Sequence, residues 1–152
     1  MHNEGHGIIH KYMHTSKMTA HKMHNELEKV GLYRGQPPLL FALWKKDGQS
    51  GTELCRILGV QPSTVTKMVK RLKNNGFVFT RRDENDSRVT KVCLTEKGRR
   101  IEEDVKGIYG EFDRIMFKDF DEEQVKSLEF LLDKIQSNIS SIKAIKRGVK
   151  NG

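Results

Sequence analysis

The sequence is poor in the features that mark membrane, secreted and disulfide-rich proteins. It has no apolar run long enough to span a bilayer, and its N-terminal stretch lacks the apolar core and cleavage site of a secretory signal. Only two cysteines are present, Cys55 and Cys93, which is too few for a disulfide framework and suits a reducing compartment. These absences predict a cytoplasmic chain without a membrane partner.

Motifs of enzyme chemistry are also missing. There is no glycine-rich phosphate loop, no H-E-x-x-H pair, no nucleophile elbow and no clustered Cys/His zinc signature. We therefore expect no enzymatic activity and no cofactor. The 152 residues contain no internal repeat, low-complexity stretch or flexible linker, and this length suits one compact domain.

Positive charge is concentrated in the middle of the chain. The net charge is +8, and residues 61–100 contain 11 Lys and Arg but only 4 Asp and Glu. A localised basic block favours a polyanionic partner, because Lys and Arg side chains gain affinity when they release counterions from phosphates. A solvated basic face is the alternative that charge alone leaves open.

Apolar periodicity predicts four helices in the first half of the chain. Their predicted bounds are residues 8–30, 37–46, 50–58 and 63–74. Gly31 and Asn75-Gly76 supply C-terminal stops for the first and the fourth. The third is short, and we expect it to place Leu54, Ile57 and Leu58 inward.

The fourth predicted helix has an apolar back and a polar, cationic front. Its inward positions are Val65, Met68, Val69 and Leu72. Its outward positions are Ser63, Thr64, Thr66, Lys67, Lys70, Arg71 and Lys73. Small hydroxyl side chains can approach base edges, and Lys and Arg can reach phosphates. This composition is typical of a helix that lies in the major groove of DNA.

Two short strands follow this helix. Residues 77–80 and 89–94 have high β-propensity, and a charged turn over residues 81–87 connects them. The expected β-hairpin carries Arg81, Arg82 and Arg88 at its tip, where they suit the minor groove or the phosphate backbone.

Two further helices complete the chain. From Thr95 onward, the positions expected to face inward are Ile101, Val105, Ile108, Tyr109, Phe112 and Ile115. Asp121 and Gln124 form a predicted capping box for the last helix, whose apolar stripe continues to Ile145. The apolar surface of that stripe is larger than one small winged domain can cover. We therefore expect a second chain to cover it, that is, a homodimer. Pairing with residues 96–118 of the same chain is the alternative.

This order of elements predicts a mainly α fold with a small β-hairpin wing, that is, a winged helix-turn-helix core flanked by dimerisation helices. The predicted divisions, within one structural unit, are an N-terminal dimerisation helix (1–34), a DNA-binding domain (35–98) and C-terminal dimerisation helices (99–152). A symmetric dimer predicts a pseudo-palindromic DNA site with half-sites roughly 10 bp apart, or a multiple of that.

The stretch LGVQPSTVTKMVKRLKNNGFVFTRRDENDSRVTKVCLTEKGR resembles the DNA-binding core of MarR-type transcriptional regulators. The most specific part is the wing, where D-x-x-D-x-R is followed by L-T-x-x-G. Its residues are Asp83, Asp86, Arg88, Leu94, Thr95 and Gly98. The resemblance extends upstream through GLYRGQPPLLFAL and, more loosely, over nearly the whole chain. Gln61, where a Ser or Thr cap is common, and Asn85, where an arginine is common, depart from the pattern.

The resemblance implies a homodimeric regulator of transcription, more commonly a repressor, that binds double-stranded DNA and responds to a small ligand. Pro62, Ser63, Thr66 and Lys67 would face bases or nearby phosphates. Arg88 would enter a groove, with Asp86 as its orienting partner. Together with the outward cations, the predicted DNA-binding residues are Pro62, Ser63, Thr64, Thr66, Lys67, Lys70, Arg71, Arg81, Arg82, Asp86 and Arg88.

The resemblance also implies an effector pocket between the wing domain and the dimer helices, with a phenolic or aromatic acid as its ligand. Candidate lining residues, each of which also suits the core, are Tyr12, Met13, Met23, Trp44, Tyr109 and Phe112.

Two other ways of sensing stay open. All six histidines lie in the first 24 residues, and the i, i+4 spacing of His6, His10 and His14 suits zinc, nickel or copper. A polar helix flank and a pH-dependent dimer contact are the alternatives for these histidines. A redox switch at Cys55 or Cys93 requires an exposed thiol, whereas both positions suit small side chains that pack half-buried against their neighbours.

Two functions of other classes compete with sequence-specific regulation. A non-sequence-specific architectural DNA-binding protein shares the basic charge but needs no palindrome. A helical adaptor would bind protein through its last helix, and its function would not depend on Arg88 and Lys67.

Overall fold

A computed structural model of the chain describes residues 5–142, with side chains from residue 7 onward. The elements in chain order are α1 (Gly5–Lys29), α2 (Pro37–Lys45), β1 (Gln49–Ser50), α3 (Gly51–Leu58), α4 (Pro62–Asn74), β2 (Val78–Arg82), β3 (Thr90–Leu94), α5 (Glu96–Met116) and α6 (Glu122–Ser140). The mainly α fold with a small wing is therefore confirmed. No helix within the described residues is long and apolar enough to cross a bilayer.

The chain divides into two compact units. The first extends to Phe112, and the second begins at Asp113 and contains α6. The core of the first unit gathers around Phe77, which has no exposed surface. Leu43 of α2, Leu54 of α3 and Leu72 of α4 are equally buried in the same cluster. Each side chain of this size stabilises the fold by about 1.5–3 kcal/mol on burial.

The sheet has three antiparallel strands in the order β1-β3-β2, one more than the predicted hairpin. β1 is only two residues long and pairs Gln49 with Val92 of β3. The buried side-chain amide of Gln49 donates to the carbonyls of Ala42 and Lys46, both at 2.8 Å. These bonds join the end of α2 to the sheet.

The hairpin boundaries differ from the prediction. Arg81 and Arg82 lie in β2 and not at the tip, because pairing with Lys91 and Thr90 extends the ladder beyond Thr80. Val89, predicted as a strand residue, lies in the turn, where its N–H donates to the carbonyl of Asp86 at 2.9 Å.

Three apolar side chains that were predicted to face inward are exposed, and Tyr109 is the least exposed of them, at 37%. Ile57 is 56% exposed because α3 buries the side centred on Leu54, with Cys55 and Leu58 packed beside it. Ile115 is 53% exposed.

The start of α6 agrees with the prediction and its end does not. Asp121 accepts a hydrogen bond from the N–H of Gln124 at 2.8 Å, and the Gln124 side chain accepts one from the N–H of Asp121 at 3.0 Å. The helix ends at Ser140, and the hydroxyl of Ser141 donates back to the carbonyl of Asn138 at 2.7 Å. Such side-chain bonds to the backbone compete with helix continuation. The predicted stripe residue Ile145 lies outside the described residues.

Candidate nucleic-acid interface

The helix α4 presents one polar face and buries the other. Pro62 begins the helix, where a missing N–H costs nothing, and Gln61 provides no side-chain cap. Val65 and Leu72 are buried, with Met68 and Val69 partly buried beside them. The exposed residues of α4 are Pro62, Ser63, Thr64, Thr66, Lys67, Lys70, Arg71, Lys73 and Asn74. This face carries four cations and no carboxylate.

Two of these polar side chains already have partners in the protein. The hydroxyl of Thr66 donates to the carbonyl of Pro62 at 2.9 Å, which orients it along the first turn. The ammonium of Lys73 donates to the hydroxyl of Thr80 in β2 at 3.3 Å. Among the cations of α4, Lys67, Lys70 and Arg71 therefore remain available to an external anion.

The helix α3 holds α4 in place and is itself tied to the sheet through Glu53. The Glu53 carboxylate accepts from the N–H of Ser50 at 2.7 Å, and the Ser50 hydroxyl accepts from the N–H of Glu53 at 3.2 Å. The ammonium of Lys91 in β3 lies 3.4 Å from the same carboxylate. Donation by the Ser50 backbone and hydroxyl, with Lys91 adding to it, lowers the pKa of Glu53 to about 2.

The wing consists of β2, β3 and the connecting residues 83–89. One carboxylate oxygen of Asp83 accepts the N–H groups of Asn85 and Asp86 at 2.9 and 3.0 Å, and these bonds lower the pKa of Asp83. The N–H of Asp83 donates to the carbonyl of Val89 at 2.9 Å and closes the turn. The first aspartate of the wing motif thus shapes the tip.

Arg88 projects from this tip and is held by Asp86. Its Nε and terminal nitrogen donate to the two Asp86 carboxylate oxygens at 3.1 and 3.3 Å. This pairing lowers the pKa of Asp86, while the Arg88 side chain stays 89% exposed. The contact that the resemblance implies is present.

Arg81 and Arg82 are engaged within the wing. Arg81 forms an ion pair of 2.7 Å with Glu84, and Arg82 donates to the carbonyl of Ser87 at 2.7 Å. Both side chains keep exposed surface beside β2. Of the three arginines, Arg88 alone lies in the turn between β2 and β3.

The L-T-x-x-G part of the motif connects the wing to α5 through hydrogen bonds. The Thr95 hydroxyl donates to the carbonyl of Gly76 at 2.6 Å and accepts from the N–H of Gly98 at 3.0 Å. The indole of Trp44 donates to the carbonyl of Gly98 at 2.9 Å. A Cβ at Gly98 would lie 2.0 Å from the Phe77 carbonyl oxygen, so this close approach requires glycine.

A groove that the sequence did not predict lies beside α4. It has a volume of about 380 Å³ and an apolar wall formed in part by Leu58, Val60 and Met68. Arg34, Lys67 and Arg71 place cationic groups around it. Arg34 and Val60 lie in connections between helices, where no periodic pattern identifies them.

The predicted effector residues are only partly brought together. The ring of Phe41, which was not predicted, packs edge-to-face on Trp44 at 5.1 Å and on Tyr109 at 5.0 Å. Burial raises the pKa of Tyr109. Tyr12 and Met13 are 42% and 61% exposed. The remaining two, Met23 and Phe112, are partly buried.

The candidate sensing residues have distinct environments. His10 and His14 are exposed on α1, and the His6 side chain lies outside the described residues. Within the described part of the chain, no three His, Cys, Asp or Glu side chains form a group that could hold a metal ion. Cys93 is buried and Cys55 is partly buried, so neither thiol has the exposure that a redox switch requires.

Comparisons with known proteins agree with this geometry. The sequence model of the MarR family matches residues 32–90. An uncharacterized HTH-type transcriptional regulator of Bacillus subtilis, YwoH, is 30% identical over 124 residues, which cover 82% of this chain and 90% of YwoH. A MarR transcriptional regulator from Methanosarcina mazei superimposes with a TM-score of 0.73 at 30% identity, covering 91% of both chains. A MarR family regulator from Listeria monocytogenes, solved with a 26mer DNA, has the same fold, with a TM-score of 0.74, 21% identity and coverage of 86% and 87%.

Proposed function

The chain belongs to the MarR family of transcriptional regulators, and on that premise we propose that it represses transcription by binding a pseudo-palindromic operator as a homodimer. The observation that carries the proposal is the exposed face of α4, with hydroxyls in its first turns and unpaired cations behind them. A small ligand releases the protein from DNA. The same evidence argues against an enzyme, because this family regulates transcription.

In the proposed complex, α4 lies in the major groove. Ser63, Thr64 and Thr66 are short enough to approach base edges, and Pro62 adds an apolar contact at the start of the helix. Lys67, Lys70 and Arg71 bind phosphates and fix the register of the protein on the duplex. The DNA bound to the Listeria neighbour supports this use of the fold.

The wing binds the adjacent minor groove or its phosphates. Arg88 is the inserted side chain, and Asp86 orients its guanidinium through the two hydrogen bonds described above. Arg81 and Arg82 lie nearer the base of the wing and bind the backbone. Asn85 contributes no charge at the tip, so the wing depends on Arg88.

Exposed apolar side chains support the homodimer. In α1 they are Ile8, Ile9, Tyr12, Met13 and Met18. In α6 they are Val125, Phe130, Leu131, Leu132, Ile135 and Ile139. A row of exposed apolar side chains along a helix marks an interaction site, and for each of these two helices a second copy of the chain is the simplest cover. We propose that residues 1–34 and 99–152 form this dimer region around the DNA-binding residues 35–98.

The groove beside α4 supports release by an aromatic acid. Its apolar wall suits a ring, and Arg34, Lys67 and Arg71 suit a carboxylate. Because Lys67 and Arg71 are also predicted to bind DNA, an anion in the groove would compete with phosphates. The cluster of Phe41, Trp44 and Tyr109 is the second candidate location.

Fluorescence anisotropy tests the proposal. The protein is titrated onto DNA from upstream of its own gene and onto a scrambled fragment at the same salt concentration. Sequence-specific binding predicts affinity about 10³-fold or more tighter for the upstream DNA. Equal, salt-steep binding to both fragments would favour the architectural alternative or a distant operator. Absence of binding to either would contradict the proposal.

The same assay locates the ligand. Arg34→Gln changes the groove without touching a predicted DNA-binding residue, so it should raise the concentration of salicylate needed to release DNA. Tyr109→Leu should have no such effect if the ligand lies in the groove. The reverse pattern would place the ligand at the aromatic cluster.

A further inference from the structure

The proposed regulator has no use for the histidines of α1, and two of them have the spacing of a metal site. We propose that His10 and His14 bind one divalent transition metal ion, with zinc, nickel and copper as the candidates. Both lie inside the continuous helix Gly5–Lys29, four residues apart. Residues at i and i+4 of a helix have Cβ atoms roughly 5–6 Å apart, which lets two imidazoles reach one ion.

Both imidazoles are free to bind. His10 and His14 are exposed, and the contacts of the described residues include no hydrogen bond or ion pair to either ring. The sequence from Gly5 to Asn25 contains no Asp or Glu, so no carboxylate of the same helix face engages them. Metal binding therefore has no internal contact to displace.

The ligand atoms select the class of ion. Imidazole nitrogen suits zinc, nickel and copper, whereas calcium and magnesium prefer oxygen ligands that α1 does not offer near these residues. The described side chains supply no third protein ligand, so water fills the remaining positions. The site is therefore open and exchangeable, unlike a closed structural zinc site.

Another histidine of the same helix provides a matched control. His21 is also exposed on α1, but Lys17 and Asn25 occupy the positions four residues to either side of it. Neither an ammonium group nor a carboxamide replaces an imidazole as a zinc ligand. His21 therefore lacks the i, i+4 pairing that defines the site, and its i+3 neighbour His24 is partly buried, with its Nδ1 covered by the protein.

Equilibrium dialysis of the full chain against zinc chloride or nickel chloride tests the proposal. One ion per chain is expected, and H10Q and H14Q should each weaken binding by about tenfold or more because each removes the chelate. H21Q should bind like the wild type. Circular dichroism and operator affinity without metal should stay unchanged in all three variants, so the metal-binding result can be separated from any effect on DNA binding. Failure to bind an ion at micromolar concentrations would overturn the proposal, and so would wild-type binding by H10Q or H14Q.

Discussion

The guanidinium of Arg99 donates to the carboxylate of Asp47 at 2.6 Å and joins the turn after α2 to the first turns of α5. The other carboxylate oxygen accepts the N–H of Gly48 at 2.8 Å and the N–H of Leu94, the last residue of β3, at 2.9 Å. One side chain thus holds three segments at the base of the wing.

Asp47→Ala should lower the free energy of unfolding by about 1–3 kcal/mol, because the N–H of Leu94 loses its acceptor in a partly buried place. Arg99→Gln removes only the ion pair, whose arginine is 54% exposed, and should cost less than about 1 kcal/mol. Urea denaturation of both variants measures the difference. Equal losses would mean that the ion pair and not the backbone bonds stabilises the wing.

Gly98→Ala should destabilise the protein by about 1–3 kcal/mol or more, because the added methyl group meets the Phe77 carbonyl oxygen at 2.0 Å. Gly107→Ala, in the same helix, is the matched control because a Cβ there has no neighbour within 4 Å. That control should stabilise α5 by roughly 0.5–1 kcal/mol. Thermal unfolding of the two variants should shift Tm in opposite directions, and a similar Tm for both would contradict the predicted clash.

Glu53→Gln should make the free energy of unfolding depend less on pH in the acid range. The folded state lowers the pKa of Glu53 from 4.5 to about 2, so it favours the ionised carboxylate. The stabilisation is complete above the normal pKa and is lost as the pH falls toward the folded-state pKa. The difference in free energy of unfolding between wild type and E53Q should therefore be larger at about pH 6 than at about pH 3. Asp83 and Asp86 are present in both proteins, so their contributions to the pH dependence cancel in the difference. A difference in free energy of unfolding that is the same at both pH values would refute this role of Glu53.

Arg88→Ala should weaken operator binding by about 1–3 kcal/mol if the guanidinium enters a groove. Asp86→Asn should weaken binding less, because it keeps the arginine and removes only the charge that orients it. Lys22→Gln removes a cation from α1 and controls for net charge. Anisotropy at several salt concentrations separates a contact specific to the wing from general electrostatics. Equal losses for R88A and K22Q would exclude a special role for the wing.

Ile139→Asp should shift the protein from dimer to monomer, because it places a charge among the exposed apolar residues of α6. Ser137→Asp adds the same charge two residues away, on another side of the helix, and should leave the dimer intact. Analytical ultracentrifugation at micromolar concentration distinguishes the two outcomes. A wild-type protein that is already monomeric would rule out the proposed homodimer.

Local patterns predicted much of the fold. The stops at Gly31 and Gly76, the cap at Asp121 and the apolar back of α4 depend on neighbouring residues, and the structure contains all of them. The Asp86–Arg88 contact also lies within two residues and followed from the wing motif.

Longer-range features could not be predicted in this way. β1 is too short to have a pattern, and it exists because Gln49 pairs with Val92 across 43 residues of chain. Ile57 has the right spacing for burial, but packing around Leu54 and Cys55 set the buried side of α3. The groove beside α4 draws Arg34 and Val60 from separate connections, so only the tertiary structure brings them together.

The unbalanced charge of α4 also affects the protein when no DNA is bound. Lys67 precedes Lys70 by three residues and Arg71 by four, without a carboxylate among them, and like charges at these spacings destabilise a helix. Dissolved salt screens this repulsion and so stabilises the folded, unbound protein. The same salt weakens the attraction of these cations for nucleic acid. The same cluster therefore makes ionic strength act in opposite directions on folding and on DNA binding.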